Sequence, residues 1–160
     1  MGGGIKTGRI TRRDIAQAES LPALIQQLVK RIHDGTSDLK EHSVSALKNI
    51  ALQHHGEDIP EVIKAGAVKP LVELLKGGSS DAQYNACATL AEIARNRPEV
   101  QASIVEAGGV APIVRLLRMG GSAVQEQAAS ALASLSHDVA HQKQVIKAVS
   151  YTHLTLPTKA

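Results

Sequence analysis

Tryptophan and phenylalanine are missing from this chain, and only two tyrosines occur, Tyr84 and Tyr151. A core must therefore be built from Leu, Ile, Val and Ala, and 160 residues suffice for one domain with such a core. That composition suits close-packed helices. It suits sandwiches and barrels poorly, because their strands favour aromatic and β-branched residues. Cysteine is almost absent as well. The lone Cys87 excludes an internal disulfide and a thiolate cluster, which fits a reducing compartment, the cytoplasm with or without the nucleus. No apolar run approaches the roughly 20 residues needed to span a bilayer. The opening "MGGGIKTGRI" has no apolar stretch of a secretory signal, and Lys6 stands where N-myristoylation wants Ser or Thr.

Excess charge is also scarce once its location is considered. The net charge is +3, but Lys6, Arg9, Arg12 and Arg13 precede any acid. Without those four, the 18 Lys and Arg become 14 against 15 acidic residues. Residues 1–13 thus read as a basic, Gly-rich, flexible tail on a nearly neutral body. A basic tail can touch nucleic acid, acidic lipid or an import receptor, and can equally be solvated. Single-strand recognition would want aromatic platforms, and the body has Tyr84 alone, so no nucleic-acid partner is expected.

Catalytic signatures are lacking too. No Gly-x-x-x-x-Gly-Lys-Ser/Thr, no Gly-x-Ser-x-Gly and no paired-carboxylate arrangement appears. Seven histidines raise a metal or enzyme alternative. His54 and His55 are adjacent, and His137 and His141 are spaced to share a helical face. Yet "HDVAH" lacks the Glu of a His-Glu-x-x-His zinc site, and no third ligand is signalled. Cys87 sits mid-helix beside an apolar stripe, which reads as a small core residue. A nucleophile would need a base and electropositive surroundings. No cofactor, no metal site and no enzymatic activity are expected.

What the chain does have is repetition. "GAVKPLVELLKGGSSDAQYNACATLAEIA", residues 66–94, aligns with "GGVAPIVRLLRMGGSAVQEQAASALASLS", residues 108–136. Pro70 matches Pro112, Leu75 matches Leu117, Gly78 matches Gly120 and Leu90 matches Leu132, each pair 42 residues apart. A stretched earlier copy places Ala18 on Ala65, Leu24 on Leu71 and Leu28 on Leu75 at an offset of 47. Further on, Leu47 falls on Leu90 and Ile50 on Ile93 at an offset of 43. The four extra residues between Leu28 and Leu47 equal about one helical turn, and one more is extra near "QHHGED". Gly-Gly pairs at 77–78 and 120–121 recur at the repeat period and so mark turns.

Each copy divides into three helices. A short one, Glu99–Glu106 after Pro98, ends at Ala-Gly with glycine as a left-handed cap. A second begins near Pro70 and buries Leu71, Leu74 and Leu75. A third starts after Ser79 or Ser80 as cap. Its stripe is Ala82, Ala86, Leu90, Ile93 and Ala94, matched by Val124, Ala128, Leu132 and Leu135 in the next copy. No single copy can hide its apolar faces, whereas stacking can.

The order "GAVKPLVELL–GGSS–ACATLAEIA" resembles the armadillo repeat, over about residues 15–148 in three copies. The resemblance implies an all-α fold, a right-handed superhelix (an α-solenoid) of about three repeats spanning 14–148. The copies are cut at about 14–65, 66–107 and 108–148. Residues 149–160, "VSYTHLTLPTKA" with its flanks, show no helical stripe and read as a non-repeat tail. It is either a natural terminus or sequence foreign to the array, and uncovered helix faces at the ends make self-association an expectation.

The resemblance further implies that third helices line a concave groove that meets a protein partner. The matching positions are Glu41, Ser45 and Asn49, then Tyr84, Ala88 and Glu92, then Glu126, Ser130 and Ser134, in steps of four that keep each trio on one face. Nuclear-import adaptors of the importin-α type carry Trp and Asn on this ladder. Here Ser45, Ala88 and Ser130 replace the Trp, and only Asn49 keeps the Asn. The expected function is non-catalytic protein binding, as a scaffold or adaptor for an extended basic or polar segment. A fragment of an import adaptor, or of a U-box ubiquitin-ligase substrate arm, is the alternative.

Overall fold

The computed structural model describes residues 20–137 and 139–155. The expected basic tail, Ala18 of the first copy and residues 156–160 lie outside them. Helices α1 (Leu21–Asp34) and α2 (Ser37–Leu52) are followed by a 3-10 turn, His54–Gly56. Then come α3 (Ile59–Lys64), α4 (Val68–Gly77), α5 (Ser80–Ala94), α6 (Pro98–Glu106), α7 (Val110–Met119), α8 (Ser122–Leu135) and α9 (Val139–Thr155). All regular elements among the described residues are helical.

Local chemistry explains the boundaries. Ser20, Thr36 and Ser79 cap α1, α2 and α5, their hydroxyl oxygens accepting from the N–H groups of Ala23, Leu39 and Ala82. Gly66 and Gly108 end α3 and α6 with φ of +76° and +77°, a conformation that costs a residue with a Cβ about 1–2 kcal/mol. The four-residue insertion inferred in the first copy is realised as one extra helical turn: α1 has 14 residues where α4 and α7 have 10. The one-residue insertion falls in the 3-10 turn, where His55 and Gly56 both take positive φ.

The third helices α2, α5 and α8 stand side by side, and the second helices α1, α4 and α7 pack behind them, each against its own third helix. The stripes expected from sequence are inside. Ala82, Ala86, Leu90, Ile93 and Ala94 of α5 are all buried, as are Val124, Ala128, Leu132 and Leu135 of α8. Leu71, Leu74 and Leu75 of α4 are buried too. These side chains belong to one hydrophobic cluster running from Leu24 to Leu135 without a break between repeats. Helix α5 is flanked on both sides and is buried along most of its length. The buried Gln101 of α6 donates from Nε2 to the carbonyl of Ala94 at 2.9 Å, closing the end of α5.

The C-terminal region departs from the sequence expectation. Helix α9 runs through residue 148 to Thr155 and is 17 residues long, against 6 and 9 for α3 and α6. Val145 and Ala148 pack on the core while Ile146 and Val149 stay exposed. Two apolar contacts one turn apart anchor this helix, although its polar–apolar pattern is too weak to announce it. No single described helix is long and apolar enough to cross a membrane. The α6–α7 pair meets the length and composition test only together, bent by 83°.

Candidate protein-binding face

The sequence-derived ladder lies on α2, α5 and α8, and the three helices bring it together in three rows. The first row is Glu41, Tyr84 and Glu126. Glu41 is half-buried and accepts a hydrogen bond at 2.5 Å from the Ser79 hydroxyl. Ser79 thus caps α5 and tethers the acid of the preceding repeat at once. Tyr84 is half-buried, with Lys48 Nζ 5.3 Å from its ring centroid, a cation–π contact between α2 and α5. Glu126 is exposed.

The middle row is short-chained: Ser45 and Ser130 are half-buried and Ala88 is almost closed over. It forms a low lane between the other two. The last row is Asn49, Glu92 and Ser134. Asn49 is exposed, and Glu92 pairs with Arg95 at 3.2 Å. Ser134 departs from its expected role as a partner contact. It is buried, and its hydroxyl donates to Ala91 O at 3.1 Å and Ser130 O at 3.2 Å, tying α8 to the backbone of α5. A serine this small sinks between the helices where a longer side chain would project.

Lys48 and Arg95 were missed in the sequence reading. Arg95 had a signal, its i+3 spacing from Glu92. Lys48 had none, because its partner Tyr84 belongs to the next repeat.

The other candidates separate. His137 is exposed while His141 is buried, so they do not present one ligand face. The side chain of His54 lies outside the described residues. Among the described residues, no three His, Cys, Asp or Glu side chains converge as metal ligands. Cys87 is fully enclosed, and burial lifts its thiol to about 12. The folded protein then keeps a proton that the unfolded chain releases near 9.0. Stability is complete below that value and falls as pH rises through the interval up to about 12, by at most about 1.4 kcal/mol per pH unit. Cys87→Ala should flatten this part of the profile, as read from urea midpoints at about pH 8 and about pH 10.5. Identical slopes for both chains would refute the assignment.

Comparison with known proteins follows the same lines. The family model for the armadillo/beta-catenin-like repeat matches residues 57–95 and 97–137. These spans open before the short helices α3 and α6, whereas the copies read from sequence open on the glycine after them. A designed armadillo repeat protein in complex with the peptide (KR)4 superposes with a TM-score of 0.71 at 29% identity, covering 89% of this chain and 59% of that one. Computationally designed armadillo repeat proteins for modular peptide recognition give 0.71 at 30%, covering 89% and 58%. An engineered protein gives 0.70 at 35%, covering 84% and 56%. The chain therefore spans less than two thirds of the length of these structures. No curated protein matches it. With repeat geometry and family match agreeing over half of its length, the chain belongs to the armadillo repeat family.

Proposed function

We propose that the protein is a non-catalytic interaction module that binds an extended, basic or polar segment of another protein along α2, α5 and α8. The observation that carries this reading is that each third helix places one carboxylate on the ladder, Glu126 exposed, Glu41 held by Ser79 and Glu92 paired with Arg95, beside a lane floored by Ser45, Ala88 and Ser130. An extended basic chain can run along such a lane and meet an acid at each repeat, with the Tyr84 ring beside it. The (KR)4 complex of a designed neighbour supports the charge class. The reading does not extend to an import-cargo groove, which needs the Trp and Asn that Ser45, Ala88, Ser130, Glu92 and Ser134 replace. Nor does it assign the chain to a ubiquitin-ligase arm. A reducing compartment is part of the reading, since Cys87 is a buried free thiol.

A labelled (Lys-Arg)4 peptide titrated with the protein tests this directly. Tyr84→Ala, Glu92→Ala and Glu126→Ala combined should weaken binding by about 10- to 100-fold, at roughly 0.5–1 kcal/mol per partly exposed contact, with helicity unchanged. Affinity should also fall steeply with salt. Undiminished affinity in the triple variant would move the site elsewhere.

A further inference from the structure

Successive seams between second helices are related by the repeat, yet their clefts differ. The α4–α7 cleft, about 350 Å3, is lined by Gln83, Arg115 and Leu116 among others. Its polar groups are used internally. Gln83 Nε2 donates to Leu75 O at 3.2 Å, and Arg115 Nη2 donates to Leu75 O and Lys76 O at 3.3 and 3.1 Å. Both cap the last carbonyls of α4.

The preceding cleft, between α1 and α4, is larger, about 430 Å3. Here Lys40 stands in the place of Gln83, Lys69 in that of Ala111 and Glu73 in that of Arg115. Glu73 lines the cleft but is paired with Lys76 of its own helix at 3.0 Å. Asp34, the acid at the end of α1, is taken by His33 at 2.7 Å. The side chains of Lys40 and Lys69 make no ion pair with any described residue. The extra turn of α1 adds Ile32 to the wall, and the floor is apolar and buried: Ile32, Pro70, Leu74 and Ala82. A second cleft of about 390 Å3 shares His33, Lys69 and Pro70 with this one and continues along the same seam past Lys30.

We propose that the α1–α4 cleft is a second binding site, taking a short acidic segment of a partner protein with an aliphatic side chain on the apolar floor and carboxylates against Lys40 and Lys69. Charge complementarity selects the class: two lysines without ion pairs line a cleft whose one acid, Glu73, is already paired with Lys76, and whose repeat counterpart is neutral at one position and self-satisfied at the others. Continuity with the adjoining cleft selects an extended segment over a compact small molecule. The cleft meets the acid-lined lane at Ser79, which holds Glu41, but includes neither Glu92 nor Glu126.

The test uses the full chain and a fluorescein-labelled Asp-Glu-Leu-Leu-Asp-Glu peptide, with Asp-Glu-Ser-Ser-Asp-Glu as control. Lys40→Gln with Lys69→Ala should weaken binding about tenfold or more. Glu73→Arg, which copies Arg115, should weaken it comparably by filling the cleft, although it adds positive charge. Each substitution installs a residue that the next seam already holds at that position, so folding is preserved. Three results would overturn the proposal: no binding of the leucine peptide, equal binding of the serine peptide, or tighter binding by Glu73→Arg. The last two mean diffuse charge attraction. The triple variant of Tyr84, Glu92 and Glu126 should leave this binding intact, so its failure and that of the lane are separable.

Discussion

Leu90→Ala should destabilise the whole array and not one repeat of it. Leu90 is 1% exposed in the middle of α5, the helix packed on both sides by its counterparts α2 and α8. Truncating a leucine there removes its transfer free energy and leaves a cavity that two stacked helices cannot close. The cost is about 2–5 kcal/mol. A small domain has about 5–15 kcal/mol in total, so the substitution consumes a large share of it. The hydrophobic cluster runs through every repeat, and each repeat relies on its neighbours' interfaces. Urea unfolding followed by far-UV circular dichroism should show one transition at a much lower midpoint with its slope unchanged. Two separated transitions, or a loss below about 1 kcal/mol, would show that the repeats are energetically isolated.

Ala86→Leu and Ala128→Leu should destabilise by the opposite route. Both alanines are completely buried and occupy the same position one period apart, on α5 and α8, third helices that pack on each other. Small residues there let the third helices approach closely, within the 8–10 Å typical of packed helices. A leucine must push the backbones apart or leave its rotamer, at about 1–3 kcal/mol each. The consequence reaches function, because that spacing sets the distance between Glu41, Glu92 and Glu126. Both thermal stability and affinity for (Lys-Arg)4 should fall together. Ala123→Leu, at an exposed position on α8, should change neither by more than about 0.5 kcal/mol. Lower stability with unchanged peptide affinity would separate helix spacing from recognition.

Much of this molecule was readable as a pattern. The extra turn of α1 followed from an offset of 47 shrinking to 43, because a helix accepts four residues without rotating its apolar face. The caps Ser79, Gly66 and Gly108 were readable because each satisfies a local backbone requirement. The candidate face was legible only in part. Its nine positions follow from helical period, but whether a side chain stands up or sinks depends on what packs beside it. Ser134 and Ala88 sank; Glu41 and Glu92 acquired partners in Ser79 and Arg95. Helix α9 continues past residue 148 without a helical stripe in its sequence, because Val145 and Ala148 anchor it through contacts that sequence periodicity does not record.

By itself, then, the order of residues determined the period, the helix types and the all-aliphatic interior, since these depend on local backbone chemistry and on the spacing of apolar side chains along one chain. Tertiary structure alone decided which polar groups remain available: Lys40 and Lys69 open beside a widened seam, Arg115 and Gln83 spent on carbonyls, Lys48 laid over Tyr84. The reason is that a polar side chain's freedom is set by the partners within about 3–6 Å of it, and in a stacked array such partners can sit in the neighbouring repeat, as those of Arg115 do, 40 and 39 residues away in sequence.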